Sequence, residues 1–126
     1  MKMKSMSLLG LLSACSAIIQ VPDIPMVQIV REPSGAETVL TGFISPQMDF
    51  SSTFVTSSDK GIECRGSSSN KGAATVDCTN GWRMNFTAPK ELYGKPDGSY
   101  ATISDGIGVA VGWGEQADEA VLRSLF

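Results

Sequence analysis

The chain has 126 residues, enough for one domain of ordinary size. It carries ten basic and thirteen acidic side chains, and two of the basic ones, Lys2 and Lys4, lie at the extreme N-terminus. The remaining acidic surface argues against nucleic acid as a partner, and the lack of histidine in the sequence excludes Ser-His-Asp and Cys-His catalytic arrangements.

The first fourteen residues have the pattern of a targeting segment. The two lysines precede an apolar run at 6–12, which is shorter than the about 20 residues needed to span a bilayer. The run ends in Leu12-Ser13-Ala14-Cys15, which resembles the lipobox of bacterial lipoprotein precursors. That resemblance implies removal of a signal peptide at 1–14 and a diacylglycerol anchor on Cys15. The alternative is an ordinary secretory signal in which Cys15 is incidental.

The resemblance also implies a location. Ser16, rather than Asp, follows the lipidated cysteine, and in enterobacterial-type sorting Asp at this position retains a lipoprotein in the inner membrane. We therefore expect the outer membrane, with the domain facing the periplasm and the membrane as a partner through the lipid anchor. Residues 15–25 contain two prolines and no periodicity, which predicts a flexible tether before a domain at 26–126.

Beyond residue 26, apolar and polar residues alternate over short runs, which is the pattern of half-buried strands. The runs are 26–31, 37–44, 50–57, 62–65, 73–78, 82–86, 101–103 and 107–113. In the third run Phe50 and Phe54 are predicted to share one face, and 66–72 is predicted to be a polar loop. Asn80-Gly81 and Asp105-Gly106 fit tight hairpin turns. The fold class is therefore all-β: a small antiparallel β-sandwich or barrel of about seven to eight strands.

The last run and the C-terminus predict a second layer. Between 107 and 114, large residues alternate with glycine and alanine, so one face can fill a core while the other admits a close neighbour. Residues 115–126 have helical spacing and predict a short amphipathic helix. Its predicted apolar stripe consists of Ala117, Ala120, Val121 and Leu125, with Leu122 and Phe126 nearby. The stripe is expected to pack on the domain; docking onto another protein is the alternative.

Cys64 and Cys78 remain as an even pair once Cys15 is assigned to lipid. Strand alternation puts both on the apolar face of runs that can be neighbours. Export makes a disulfide between them reasonable, and closing a loop of about 15 residues contributes roughly 3 kcal/mol. Two free buried thiols or a metal site are the alternatives, although two cysteines without histidine make a poor zinc site. We expect no metal and no cofactor.

Two families resemble parts of the chain. Gly61-Ile62-Glu63-Cys64-Arg65-Gly66, followed by Cys78-Thr79-Asn80-Gly81, resembles a pattern in small exported proteobacterial β-rich proteins of unassigned role. Gly98-Ser99-Tyr100, Trp113 and Asp118-Glu119-Ala120 fall in an order similar to the end of membrane-anchored lysozyme inhibitors. The inhibitory Ser-Gly-x-x-Tyr loop of that family is absent in register.

No residue pattern predicts an enzyme, because carboxylates are scattered and the glycines never form a phosphate-binding loop. The expected function is therefore a non-catalytic, outer-membrane-anchored lipoprotein that binds or scaffolds another envelope component. An exposed strand edge or the C-terminal helix would contact a protein partner of unknown identity. The alternatives are an inhibitor of a wall-degrading enzyme such as lysozyme, acting through a loop at 96–100, and an accessory subunit of a secretion or surface machine.

Overall fold

The computed structural model of the chain describes residues 22–126. Its eight strands are β1 (Ile24–Arg31), β2 (Glu37–Pro46), β3 (Ser52–Ser57), β4 (Glu63–Ser68), β5 (Ala73–Cys78), β6 (Arg83–Thr87), β7 (Gly98–Ser104) and β8 (Ile107–Trp113). All pairings are antiparallel, in the order β6-β5-β4-β3-β2-β1-β8-β7. One short helix, α1 (Glu119–Arg123), follows the sheet. The predicted fold class is confirmed.

The sheet curls until the strands at its two edges, β6 and β7, meet. The backbone N–H of Asn85 in β6 donates a hydrogen bond to Oγ of Ser104 in β7 at 3.1 Å. The rings of Phe86 and Tyr100 meet edge to face across the same seam, with their centroids 6.2 Å apart. The result is a nearly closed barrel in which the edges of β6 and β7 face each other.

Alternation along each strand decides which side chains fill the barrel. In β5, Ala74 and Val76 are buried while their neighbours are exposed, as the period of two predicts. β5 and β8 begin and end where the sequence predicts. β1 begins at Ile24, two residues before the predicted start, because Ile24 and Pro25 continue the ladder with β2.

Several strand predictions were wrong in their bounds; β7, for example, begins at Gly98 rather than at 101. Phe50 does not share a strand with Phe54, because Asp49 accepts hydrogen bonds from the N–H and hydroxyl of Ser51 and closes a turn there. The predicted loop 66–72 begins too early, because β4 extends to Ser68. Gly66 lies in the ladder, where a Cβ atom would come within 2.4 Å of the Phe54 ring.

The C-terminal segment forms a second layer outside the barrel. Leu122 of α1 is fully buried against Ile29 and Ala110, which lie on the outer face of β1 and β8. Gly112 permits this approach, because a Cβ atom there would lie 2.2 Å from the carbonyl oxygen of Gln116. The prediction that the helix packs on its own domain is therefore confirmed, as is the close approach at the small residues of β8.

The helix is shorter than the predicted 115–126, and its buried stripe differs. The Asp118 side chain accepts hydrogen bonds from the N–H groups of Ala120 and Val121, so it caps the helix and fixes its start at Glu119. Leu122 is the buried residue, whereas Ala120 and Leu125 of the predicted stripe are exposed.

Cys64 and Cys78 form a disulfide, with an S–S distance of 2.05 Å. The two residues are direct partners in the β4–β5 ladder. Cys64 is fully buried in the barrel core, and Cys78 packs against that core together with Ile62 and Trp82. The bridge therefore lies on the apolar side of the sheet, as predicted, and it helps to close one end of the barrel.

Candidate functional site: an apolar cavity at the open end

A cavity of about 470 Å³ opens at the end of the barrel opposite the disulfide. The first residues of β1 and β3 and the last residues of β2 and β8 surround it, because antiparallel strands bring these ends together. Its apolar lining includes Met26, Ile44, Phe54, Phe86, Val111 and Trp113. Eight-stranded barrels can hold one small ligand, and ligand pockets commonly measure about 300–1,000 Å³.

Small residues at inward-facing positions create this space. Ser52, Ser68, Ala74 and Ala88 all line the cavity, at the same end of neighbouring strands. At the other end of the barrel, the corresponding inward positions carry the disulfide and larger apolar side chains. One end is therefore filled by side chains, while the other is left open.

Two connections frame the mouth of the cavity. The first is the β2–β3 turn, 47–51, in which the N–H of Gln47 donates to the carbonyl of Ser51 at 2.8 Å. The second is the segment 88–97 between β6 and β7, which contributes Leu92 and Tyr93. A single 3-10 turn at Lys90–Leu92 shapes this segment.

An aromatic wall fixes one side of the cavity. The rings of Tyr100 and Trp113 meet edge to face with their centroids 6.1 Å apart. The indole Nε1–H of Trp113 donates a hydrogen bond to the carbonyl oxygen of Lys95 at 2.9 Å, which ties the 88–97 segment to β8. Burial raises the pKa of the Tyr100 hydroxyl, so this group stays neutral at physiological pH.

The lining is almost uncharged. Lys95 is the one residue with a charged side chain among those that line the cavity, and the other polar contributors are serines, Asn70, Gln47 and two tyrosines. Such a site suits an apolar molecule that carries at most a small polar or anionic group at the mouth.

Few titratable side chains line the cavity. No acid–base pair lines the cavity, and residues 22–126 contain no group of three His, Cys, Asp or Glu side chains that could hold a metal ion. The arrangement offers an apolar surface that a bound molecule would bury.

The site residues predicted from the sequence lie elsewhere. Cys15, the signal peptide 1–14 and most of the tether fall outside the described residues, so their roles stay predictions. The disulfide of Cys64 and Cys78 is at the opposite end of the barrel from the cavity. Within the described part of the chain, no helix has the length and hydropathy of a membrane-spanning segment.

The structure describes the elements that were expected to contact a partner, and that contact stays a prediction. α1 buries Leu122 against the barrel, and the edges of β6 and β7 face each other. Residues 96–100 are not a loop with a tyrosine tip, because β7 begins at Gly98 and Tyr100 packs against Phe86 and Trp113.

Sequence reasoning missed the cavity, although a signal for it was present. The inward positions at one end of β3, β4 and β5 are serine or alanine, whereas Phe54, Val76 and the two cysteines lie further along these strands. Recognising that these small residues share one end requires the strand register, which the sequence alone did not supply.

No protein-family model, curated protein or solved structure matches the chain in comparisons with known proteins. The function is therefore inferred from the geometry of this molecule.

Proposed function

We propose that this chain is a non-catalytic lipoprotein of the cell envelope that binds an apolar ligand with a hydrocarbon chain in the open end of its barrel. The observation that carries the proposal is the cavity of about 470 Å³, which has an apolar floor and a single charged residue in its lining. Transfer of hydrocarbon from water gains about 0.8 kcal/mol for each buried methylene group. The apolar lining therefore suits a fatty acid or the acyl chain of a lipid.

The membrane supplies such molecules to a protein that is held beside it. The Leu12-Ser13-Ala14-Cys15 sequence supports an anchor at Cys15, and the serine after it supports the outer membrane. In this proposal the bound envelope component is an apolar small molecule, rather than a protein held at a strand edge or by α1.

Binding is tested with the mature chain carrying Cys15→Ser and a fluorescent fatty acid. Ala74→Phe places a ring in the cavity, whereas Ala73→Phe places the same ring on the outer face of the same strand. We expect Ala74→Phe to weaken binding about tenfold or more, which corresponds to about 1.4 kcal/mol, and Ala73→Phe to leave it nearly unchanged.

Thermal unfolding of both variants serves as the control for folding. If Ala74→Phe lowers stability, Ala88→Leu provides a second, smaller obstruction of the same cavity. Equal affinities for wild type, Ala74→Phe and Ala88→Leu would contradict the proposed site.

The anchor is tested separately in cells. Cys15→Ser is expected to move the protein from the membrane fraction to the soluble periplasmic fraction, because it removes the acyl chains. Retention of the variant in the membrane fraction, or an unmodified mass for wild type, would contradict the anchor. Neither result would decide whether the barrel binds a ligand, which the binding experiment tests separately.

A further inference from the structure

Exposed apolar side chains concentrate in one hairpin at the mouth of the cavity. Of the seven large apolar residues that are exposed in the described chain, Phe43, Met48, Phe50 and Val55 belong to β2, β3 and the turn between them. Met48 and Phe50, at the tip, are 72% and 73% exposed. Isolated exposed apolar residues are ordinary, but a cluster indicates a contact surface.

The turn holds these side chains outward in a fixed conformation. Phe50 adopts a φ angle of 68°, which is uncommon for a bulky residue. Its N–H donates to the carbonyl of Gln47 at 3.1 Å, and the Asp49 carboxylate accepts from the N–H of Ser51 at 3.0 Å. Hydrogen bonds on both sides of Phe50 therefore maintain a conformation that exposes its ring.

The chain enters the barrel at this same end. Ile24, the first residue of β1, lies opposite Ile44 near the end of β2, and both line the cavity. Cys15 is nine residues before Ile24, and a fully extended chain spans about 3.3–3.6 Å per residue. A lipid on Cys15 therefore holds the mouth within about 30 Å of the membrane surface.

We propose that the β2–β3 turn is a membrane-contact surface, in which Met48 and Phe50 insert into the lipid interface and turn the cavity mouth toward the bilayer. This inference rests on the proposed anchor at Cys15. The contact is apolar rather than electrostatic, because this end carries both acidic side chains, Asp23 and Asp49, and the basic Lys95, and so has no excess of positive charge for anionic head groups.

The orientation also gives a path for a hydrocarbon chain. Met48 and Phe50 line the cavity together with Phe54, so apolar side chains are present both at the turn and on the floor. In this orientation an acyl chain that leaves the bilayer would enter the cavity beside these two side chains.

The test uses the lipidated full chain in phosphatidylcholine vesicles that contain lipids with a nitroxide quencher near the head group. Phe50→Trp adds a fluorophore at the turn, and Ile103→Trp adds one at a position that is 75% exposed near the other end of the barrel. We expect Phe50→Trp to show more quenching than the wild type, and Ile103→Trp to show no quenching beyond that of the wild type. Addition of anionic lipid is expected to leave both results unchanged.

Three other outcomes would overturn the inference. Quenching of Phe50→Trp at the wild-type level shows that the turn stays in water, and equal quenching of both variants shows that no end is preferred. An emission shift that accompanies self-association without quenching assigns the surface to a second copy of the chain. Mass spectrometry of Cys15 shows whether a failed result concerns the anchor or the membrane contact. If Cys15 carries no lipid, the proposed anchor is overturned as well. If the chain is lipidated and Phe50→Trp is still not quenched, the membrane contact alone is overturned.

Discussion

Inside the barrel, two polar side chains are buried among apolar ones. The hydroxyl of Thr56 donates a hydrogen bond to Oε1 of Gln28 at 2.8 Å, and both residues are almost completely buried. The Nε2 group of Gln28 has no hydrogen-bond partner among the described residues. Removal of one partner from such a pair leaves the other buried and unsatisfied, whereas removal of both can be nearly neutral.

A double-mutant cycle tests this pair. Thr56→Val is expected to lower the free energy of unfolding by about 1–3 kcal/mol, because it leaves the Gln28 amide without its partner. Adding Gln28→Met to that variant is expected to recover most of the loss. Denaturant unfolding of the four proteins measures the coupling, and additive effects of the two substitutions would contradict it.

For individual residues, the sequence predicted the alternation of buried and exposed side chains along a strand but not which buried side chains form hydrogen bonds. The period of two places Gln28 on the same side of β1 as Met26 and Val30, yet nothing in β1 identifies Thr56, which lies 28 residues later on a strand that is not adjacent to it. Contacts across a closed barrel depend on how the sheet curls, and that property belongs to the complete set of strands.

Among the elements, α1 depends on one buried side chain. Leu122→Ala is expected to lower the free energy of unfolding by about 2–5 kcal/mol, because Leu122 is fully buried between the helix and the outer face of the barrel. Val121→Ala, at a partly exposed position of the same helix, is the matched control and is expected to have a much smaller effect. Similar losses for the two variants, measured by denaturant unfolding, would contradict the packing described.

An ionic cluster beside the helix predicts a pH dependence. Glu37 accepts a hydrogen bond from Nε of Arg31 at 2.9 Å, and Nε of Arg123 in α1 lies 3.4 Å from its other oxygen. Arg31, and to a lesser degree Arg123, lowers the pKa of Glu37 below its usual 4.5. Because the folded-state pKa is depressed, this contribution is present above pH 4.5 and is lost as the pH falls through the folded-state value.

The stability difference between wild type and Glu37→Gln measures that contribution. We expect the wild type to have a slightly higher Tm at pH 7, and the two proteins to approach the same Tm once the pH falls below the folded-state pKa of Glu37, after correction for the general acid effect seen in both. A difference in Tm that is independent of pH would contradict the assignment to the ionised carboxylate.

The sequence predicted most elements because their signals are local. Asn80-Gly81 and Asp105-Gly106 marked two hairpins, and glycine at 112 marked the close approach of a second layer. Phe50 was misplaced because an apolar residue in a turn continues the alternation of the strand beside it. The correct reading depended on hydrogen bonds of Asp49 to Ser51, which a pattern of hydrophobicity does not contain.

Over the whole molecule, the two ends of the barrel differ in structure. The Cys64–Cys78 bridge closes one end, and the cavity opens at the other. Reduction of the bridge is expected to lower the free energy of unfolding by about 2–5 kcal/mol while changing the affinity for a fatty acid little under conditions where the barrel stays folded. Unfolding and ligand titration with and without reductant test this separation, and loss of binding by a folded, reduced barrel would contradict it.

The proposed ligand site and the disulfide lie at opposite ends of the barrel, and one tryptophan reports on each end. Trp113 lines the cavity through a ring whose Nε1–H is bonded to Lys95, whereas Trp82 packs beside the disulfide. The most direct measurement follows the two indole N–H signals by NMR while the mature Cys15→Ser chain is titrated with a medium-chain fatty acid. The Trp113 signal is predicted to shift in a saturable manner while the Trp82 signal stays in place. Two unmoved signals, or equal shifts of both, would contradict the account.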